Sequence, residues 1–167
     1  MDLSLNNNCC DFDTHFMKRA CELAYLNVEK NGGGPFGCVI TDSQGYVLAE
    51  GSNCVTESND PTAHAEIVTI RKACSVLQNY NLDGCRLYSS CEPCPMCLSA
   101  IYWSRIQHVY YCNSRRDAKN IGFDDEYIYD EIAKKNEERD LSLFQIELED
   151  PLHAFNAWVH KKDKMLY

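Results

Sequence analysis

Three cysteines recur at a spacing of three in "SSCEPCPMC": Cys91, Cys94 and Cys97. Thiols so close together can hold an iron–sulfur cluster, exchange electrons as a redox pair, or share a zinc ion. A cluster loop of the bacterial type requires a fourth cysteine after three more residues, followed by proline. Ile101 and Tyr102 stand at those positions, which excludes that chemistry. Cys94-Pro95-Met96-Cys97 alone leaves a thioredoxin-like redox pair open, because it is a C-x-x-C that follows a strand-like segment.

A second group of residues decides between redox and zinc. "HAE" supplies His64 and Glu66, and Pro93-Cys94-x-x-Cys97 follows with Cys94 thirty residues after His64. H-x-E followed by P-C-x-x-C is the signature of zinc-dependent deaminases. Two thiols at i and i+3 share one helix face, and a helix start favours their thiolate form. One imidazole brings the count to three protein ligands, His64, Cys94 and Cys97. That leaves the fourth tetrahedral position for a water, the arrangement of a catalytic Zn2+ rather than a structural one. Cys91 reads as a buried packing thiol. Glu66 lies two residues from His64, so helical spacing alone does not set the two side by side. The complete motif, and not the spacing, gives it the part of proton shuttle.

These groups need a scaffold that brings two helix starts together. Residues 11–30 carry Phe12, Phe16, Ala20 and Leu23 at helical spacing, and "NGGGPFG" ends that helix. "FGCVITDSQGYVLAEGSN" reads as a β-hairpin turning at "TDSQG". In "SNDPTAHAEIVTIRKACSVL", Asn59 or Asp60 can cap a helix over 61–78, with Pro61 at its first position. "CRLYSS" predicts a strand, "PCPMCLSAIYWSR" a helix from Pro93, and "QHVYYC" the next strand. A polar loop, a helix in "FDDEYIYDEIAKK", a strand in "LFQIELE" and a terminal helix with Phe155 and Trp158 buried complete the chain. Strands alternating with helices imply a three-layer α/β/α domain over residues 1–167. Its central mixed, mostly parallel sheet is expected to have five strands. Right-handed crossovers would put both helix starts at one sheet edge, where open α/β folds build their sites.

Composition narrows the function classes. The chain has 167 residues, a length that suits one domain with a substantial core. Its formal charge of −9 argues against a dedicated nucleic-acid binder, which needs a basic, phosphate-neutralising face. The other eight of its 11 cysteines follow no framework and suit a reducing cytoplasm. "MDLSLNNNCCDF" has neither the basic head nor the apolar run of a signal peptide, and no apolar stretch is long enough to cross a membrane.

With these motifs in place, the sequence resembles the guanine deaminases of the cytidine-deaminase-like superfamily. The resemblance runs through "GGPFG", "NDPTAHAE", "SCEPCPMC", "AIYW" and "GFDDEYIY" to the terminal Tyr167. It implies the cytidine-deaminase-like fold and hydrolysis of guanine to xanthine and ammonia, with Zn2+ bound by His64, Cys94 and Cys97. Glu66 would be the main general acid/base and Asp125 would help move the proton of the leaving amine. Asn53 would hydrogen-bond the purine and Phe36 would pack against it, with Ala65 and Trp103 as further substrate contacts. It also implies a homodimer whose C-terminal segment, 151–167, is exchanged so that Tyr167 closes the partner's site. Residues 1–11 match nothing in the family and read as a flexible extension. The shared core motif leaves other substrates open: a tRNA adenosine, guanosine, cytosine or an aminated triazine. A zinc-stabilised binding module without catalysis is a further reading, against which the retention of Glu66 speaks.

Overall fold

The computed structural model describes residues 9–166. A long helix, α1 (Cys9–Glu29), is followed by the hairpin strands β1 (Gly37–Thr41) and β2 (Val47–Ser52). A short α2 (Val55–Ser58) precedes α3 (Ala65–Leu77), β3 (Arg86–Cys91), α4 (Pro95–Trp103) and β4 (His108–Asn113). Then come α5 (Arg115–Asn120), α6 (Asp125–Ala133), a 3-10 turn at Asn136–Glu138, and α7 (His153–His160). Residues through Tyr129 form one compact unit and Asp130 onward a second.

The sheet order is β2-β1-β3-β4. β1 runs antiparallel to both β2 and β3, and only β3 and β4 are parallel. The sheet is therefore mixed with four strands, and the expected five-stranded, mostly parallel sheet is corrected. The missing strand is "LFQIELE". Residues 142–148 have no regular structure, and Phe144 and Ile146 are exposed. An alternating apolar pattern makes a strand only when a neighbour completes its backbone ladder.

Strand alternation explains the layers. Val39 and Tyr88 point to one face and pack under α1 with Phe16 and Ala20. Cys38, Ile40 and Leu87 point to the other face and pack with Ala65, Ile70 and Ala73 of α3 and Ile101 of α4. At Gly37 a Cβ would lie 2.3 Å from the Ala20 carbonyl oxygen, so only glycine lets α1 approach β1 this closely. The hairpin turn is held by Asp42, whose Oδ1 accepts from the Gln44 and Tyr46 amides at 2.9 Å.

Two helix boundaries differ from expectation. Pro61 lies in a turn, and α3 starts only at Ala65, with His64 as its N-cap. Asp60 closes that turn instead of capping the helix: its Oδ1 accepts from the Thr62 amide at 2.8 Å and hydroxyl at 2.7 Å. The expected polar loop after β4 contains α5, set by a reciprocal capping box between Ser114 and Asp117.

The second unit is stabilised by local bonds. Arg139 donates to the carbonyls of Glu131 and Ile132 at 3.1 and 3.0 Å, and Glu131 accepts from the Asp140 amide at 2.8 Å. Its α7 keeps apolar side chains in the open: Phe155 is 70% and Trp158 41% exposed, against the expectation that both are buried. Among the described residues, no helix is long and apolar enough to cross a membrane.

Candidate active site

The carboxyl ends of β2 and β3 and the start of β1 lie at one sheet edge, and α3 and α4 both begin there. His64 is the N-cap of α3 and Cys94 the N-cap of α4, with Pro95 preset for the first helical position. Cys97 is one turn into α4. The first intrahelical bonds, Val68 N–H to the His64 carbonyl and Leu98 N–H to the Cys94 carbonyl, fix both caps at 2.9 and 2.8 Å.

His64 Nδ1 lies 3.6 Å from the Sγ of Cys94 and 3.6 Å from that of Cys97. A tetrahedral ion with ordinary zinc–sulfur and zinc–nitrogen bond lengths sets such an N···S edge at about 3.6 Å. The three ligand atoms all lie within 4.8 Å of one another, and among the described residues no other such group occurs. Two thiolates and an imidazole in this geometry suit zinc better than hard cations, which seek oxygen. Electrostatics favour a thiolate at one of the two sulfurs. The Cys94 thiol is pushed down to about 4, first by its hydrogen bond with Cys97 and then, against burial, by that with His64. The hydrogen bond with Cys94 in turn raises His64 and, together with burial, holds the proton on Cys97.

Glu66 enters the site from the first turn of α3 and is almost wholly buried. Burial raises its pKa. Ser89 Oγ donates to Glu66 Oε1 at 2.8 Å, and the Cys97 thiol to Oε2 at 3.4 Å, so both carboxylate oxygens are held. Ser89 reaches it because β3 alternation turns Ser89 and Cys91 to the α3 side. Asp125, first residue of α6, is half-buried; burial and then the Cys94 charge raise its pKa.

These groups line a cavity of about 360 Å³, a size suited to a small ligand. Its lining includes Phe36, Asn53, His64, Glu66, Cys94 and Asp125. One wall is aromatic: Phe36 and Phe123 meet edge-to-face, with ring centroids 4.7 Å apart. A second wall hangs on Asn27, buried at the end of α1, whose Nδ2 donates to the carbonyls of Gly34 and Asn53, each at 2.9 Å. Gly33 has φ +149°, and a Cβ there would lie 2.7 Å from the Asn53 carbonyl oxygen. The glycine run thus lets the loop fold against Asn53. Arg115 clamps a third side. Its guanidinium pairs with Glu92 at 2.5 Å and stacks 3.8 Å from the Tyr129 ring, while the Tyr129 hydroxyl donates to the Pro93 carbonyl at 2.9 Å.

The structure thus brings together His64, Cys94, Cys97, Glu66, Asp125, Asn53 and Phe36. Ala65 is buried at the start of α3, outside the cavity lining. Trp103 ends α4 with 61% exposure and does not line it either. Tyr167 lies outside the described residues. Cys91 lines the cavity without joining the ligand group; its Sγ donates to the Ser114 carbonyl at 3.6 Å, and burial pushes its thiol up to about 12. Ser89, Asn27 and Phe123 escape a reading by motif. Ser89 and Phe123 sit inside the quoted stretches "SSCEPCPMC" and "GFDD", where only a three-dimensional view separates them from their neighbours.

The sequence profile of the cytidine and deoxycytidylate deaminase zinc-binding region matches residues 11–113, a span that takes in His64, Glu66, Cys94 and Cys97. The chain is 53% identical over 152 residues to the guanine deaminase of Bacillus subtilis (strain 168), covering 91% of this chain and 97% of that protein. The X-ray structure of guanine deaminase from Bacillus subtilis matches with a TM-score of 0.88 at 50% identity, over 98% of this chain and 99% of that chain. The tRNA-specific adenosine deaminase of Buchnera aphidicola subsp. Schizaphis graminum (strain Sg) is 39% identical over 111 residues, covering 66% of this chain and 72% of that protein. The layered α/β fold expected from the sequence is shared with these relatives.

Proposed function

The chain belongs to the zinc-binding cytidine and deoxycytidylate deaminase family, and from that premise we propose that it hydrolyses guanine to xanthine and ammonia. The observation that carries this reading is a buried Glu66, held by Ser89, beside a His/Cys/Cys set of zinc spacing in a cavity with an aromatic wall. The guanine specificity rests on the likeness to the Bacillus subtilis guanine deaminase over nearly the whole chain.

His64, Cys94 and Cys97 would hold a zinc ion, which would supply a water acidic enough to give hydroxide near pH 7. Glu66 is placed to take a proton from the attacking water and to deliver it to the ring nitrogen beside the amino-bearing carbon. Its raised pKa suits a group that must both accept and return a proton near neutrality. Ser89 keeps the carboxylate aimed. A carbon–oxygen bond forms and the carbon–nitrogen bond breaks, with Asp125 helping to hand the departing amine its proton. Asn53 hydrogen-bonds the purine, and Phe36 packs on its face. The mostly apolar surroundings strengthen these contacts.

The enzyme acts in the cytoplasm as a homodimer with exchanged C-terminal segments. Support for this comes from the free thiols and from the apolar side chains that Phe144, Ile146 and Phe155 leave open, together with the family resemblance. In that assembly Tyr167 of the partner subunit closes the pocket. Light scattering should give twice the chain mass, and a chain ending before Tyr167 should remain dimeric while losing turnover.

Ammonia release from zinc-loaded protein tests the substrate across guanine, guanosine, cytosine, adenine and an adenosine-containing RNA hairpin. Guanine should exceed every other substrate in kcat/KM. Preference for the hairpin, with binding that weakens steeply in salt, would replace this reading by a tRNA deaminase.

A further inference from the structure

Two thiols outside the ligand group lie on α1 and β4, elements that contact each other. Met17 and Ala20 of α1 pack with Tyr110 of β4 in the layer beneath the helix. A helix returns to the same face after four residues and a strand after two. Cys21 therefore follows Met17, and Cys112 follows Tyr110, onto one shared face. Both are free thiols, Cys21 half-buried and Cys112 exposed. Their side chains interact directly: burial first, then the charge of Cys112 and a hydrogen bond with it, raise the Cys21 pKa. Among the described residues, no histidine or carboxylate joins them in a ligand group. Thiol oxidation is the chemistry that remains.

We propose that Cys21 and Cys112 are a covalent modification site, forming a reversible disulfide that ties α1 to the edge strand β4. The oxidant is a hydroperoxide such as hydrogen peroxide. Cys112, the exposed member, attacks a peroxide oxygen as thiolate: the sulfur–oxygen bond forms, the oxygen–oxygen bond breaks, and one water leaves. Cys21 then attacks that sulfur, the sulfur–sulfur bond forms, and the sulfenic oxygen departs as a second water. Two thiols lose two electrons and two protons, one peroxide becomes two waters, and a small dithiol reverses the reaction. The metal cysteines do not compete, because Cys97 is fully buried and Cys94 nearly so. The bridge closes a loop of about 90 residues, which restricts the unfolded chain and so stabilises the folded one. Oxidation at this pair strengthens the scaffold without touching the cavity.

The sequence makes the test direct. Trypsin leaves Cys21 alone among cysteines in residues 20–30, and Cys112 alone in residues 106–115. Zinc-loaded protein is treated with stoichiometric hydrogen peroxide, its remaining thiols are alkylated, and the digest is read by mass spectrometry. The expected product is peptide 20–30 joined to peptide 106–115 with the loss of two hydrogens. It should be absent from Cys21→Ser and Cys112→Ser, and the oxidised wild type should melt about 5 °C or more above the reduced form. Full alkylation of both cysteines, linkage of either to another cysteine, or a bridge between chains would overturn the proposal.

Discussion

Ser89→Ala removes one oxygen atom from the protein interior, and the contacts of that atom set the size of the effect. Ser89 Oγ donates to Glu66 Oε1 at 2.8 Å, and both residues are buried. A hydrogen bond to a charged group contributes about 1.5–3 kcal/mol. Glu66 still projects into the site from the first turn of α3, so the carboxylate stays there with one oxygen loose. If that orientation matters mainly in the proton-transfer step, the loss falls on kcat, by about 10- to 150-fold at 1.36 kcal/mol per decade. KM should change less than threefold, because Ser89 is absent from the cavity lining. Steady-state guanine turnover and a zinc assay on wild type, Ser89→Ala and Ser89→Thr give the comparison. The threonine variant retains a hydroxyl and should recover most of the rate. An alanine variant with wild-type kcat and full zinc content would show that Glu66 does not depend on Ser89. A threonine variant as slow as alanine, with an unchanged melting temperature, would refute the orientation argument equally.

Three further outcomes are expected from the same geometry. Asn27→Ala leaves two carbonyls without their donor, which should cost about 2–3 kcal/mol. The melting temperature should fall by about 4–12 °C, and KM for guanine should rise, since Gly34 and Asn53 carry the cavity wall. Phe123→Ala removes half of the aromatic pair and should raise KM at least about tenfold, the range for losing a ring against a base, with zinc content unchanged. In acid unfolding, the Arg19 guanidinium hydrogen-bonded to Glu50 holds its folded-state pKa below the usual 4.5. That contribution is present in full above about pH 4.5 and is lost as pH falls through the folded pKa. Glu50→Gln should therefore lessen the slope of stability against pH below about 4.5 and leave it unchanged at neutral pH; an unaltered acid limb would remove the pair from the account.

Legibility followed the range of the interactions. His64, Cys94 and Cys97 could be read in the sequence because each belongs to a local pattern, and helix starts impose strict spacing on their ligands. Glu66 came with the motif. The hairpin was equally plain, since Asp42 and Gly45 build its turn from within five residues. Pro61 misled because it is equally at home in a turn, and Asp60 spends its oxygen on Thr62 rather than on a helix amide. "LFQIELE" misled because alternation reports an apolar face, not the neighbour that would pair with it. Asn27 stayed hidden for a related reason. It resembles any polar residue near a helix end until the fold brings Gly34 and Asn53 under its amide.

In the proposed mechanism two helix caps and one helix turn grip zinc beside a carboxylate that moves protons. Metal content and guanine turnover, measured together on wild type and Glu66→Gln, test that arrangement most directly. One zinc per chain is expected in both proteins, with turnover in the variant reduced at least about 100-fold. A variant that keeps its zinc and turns over guanine at the wild-type rate would contradict it.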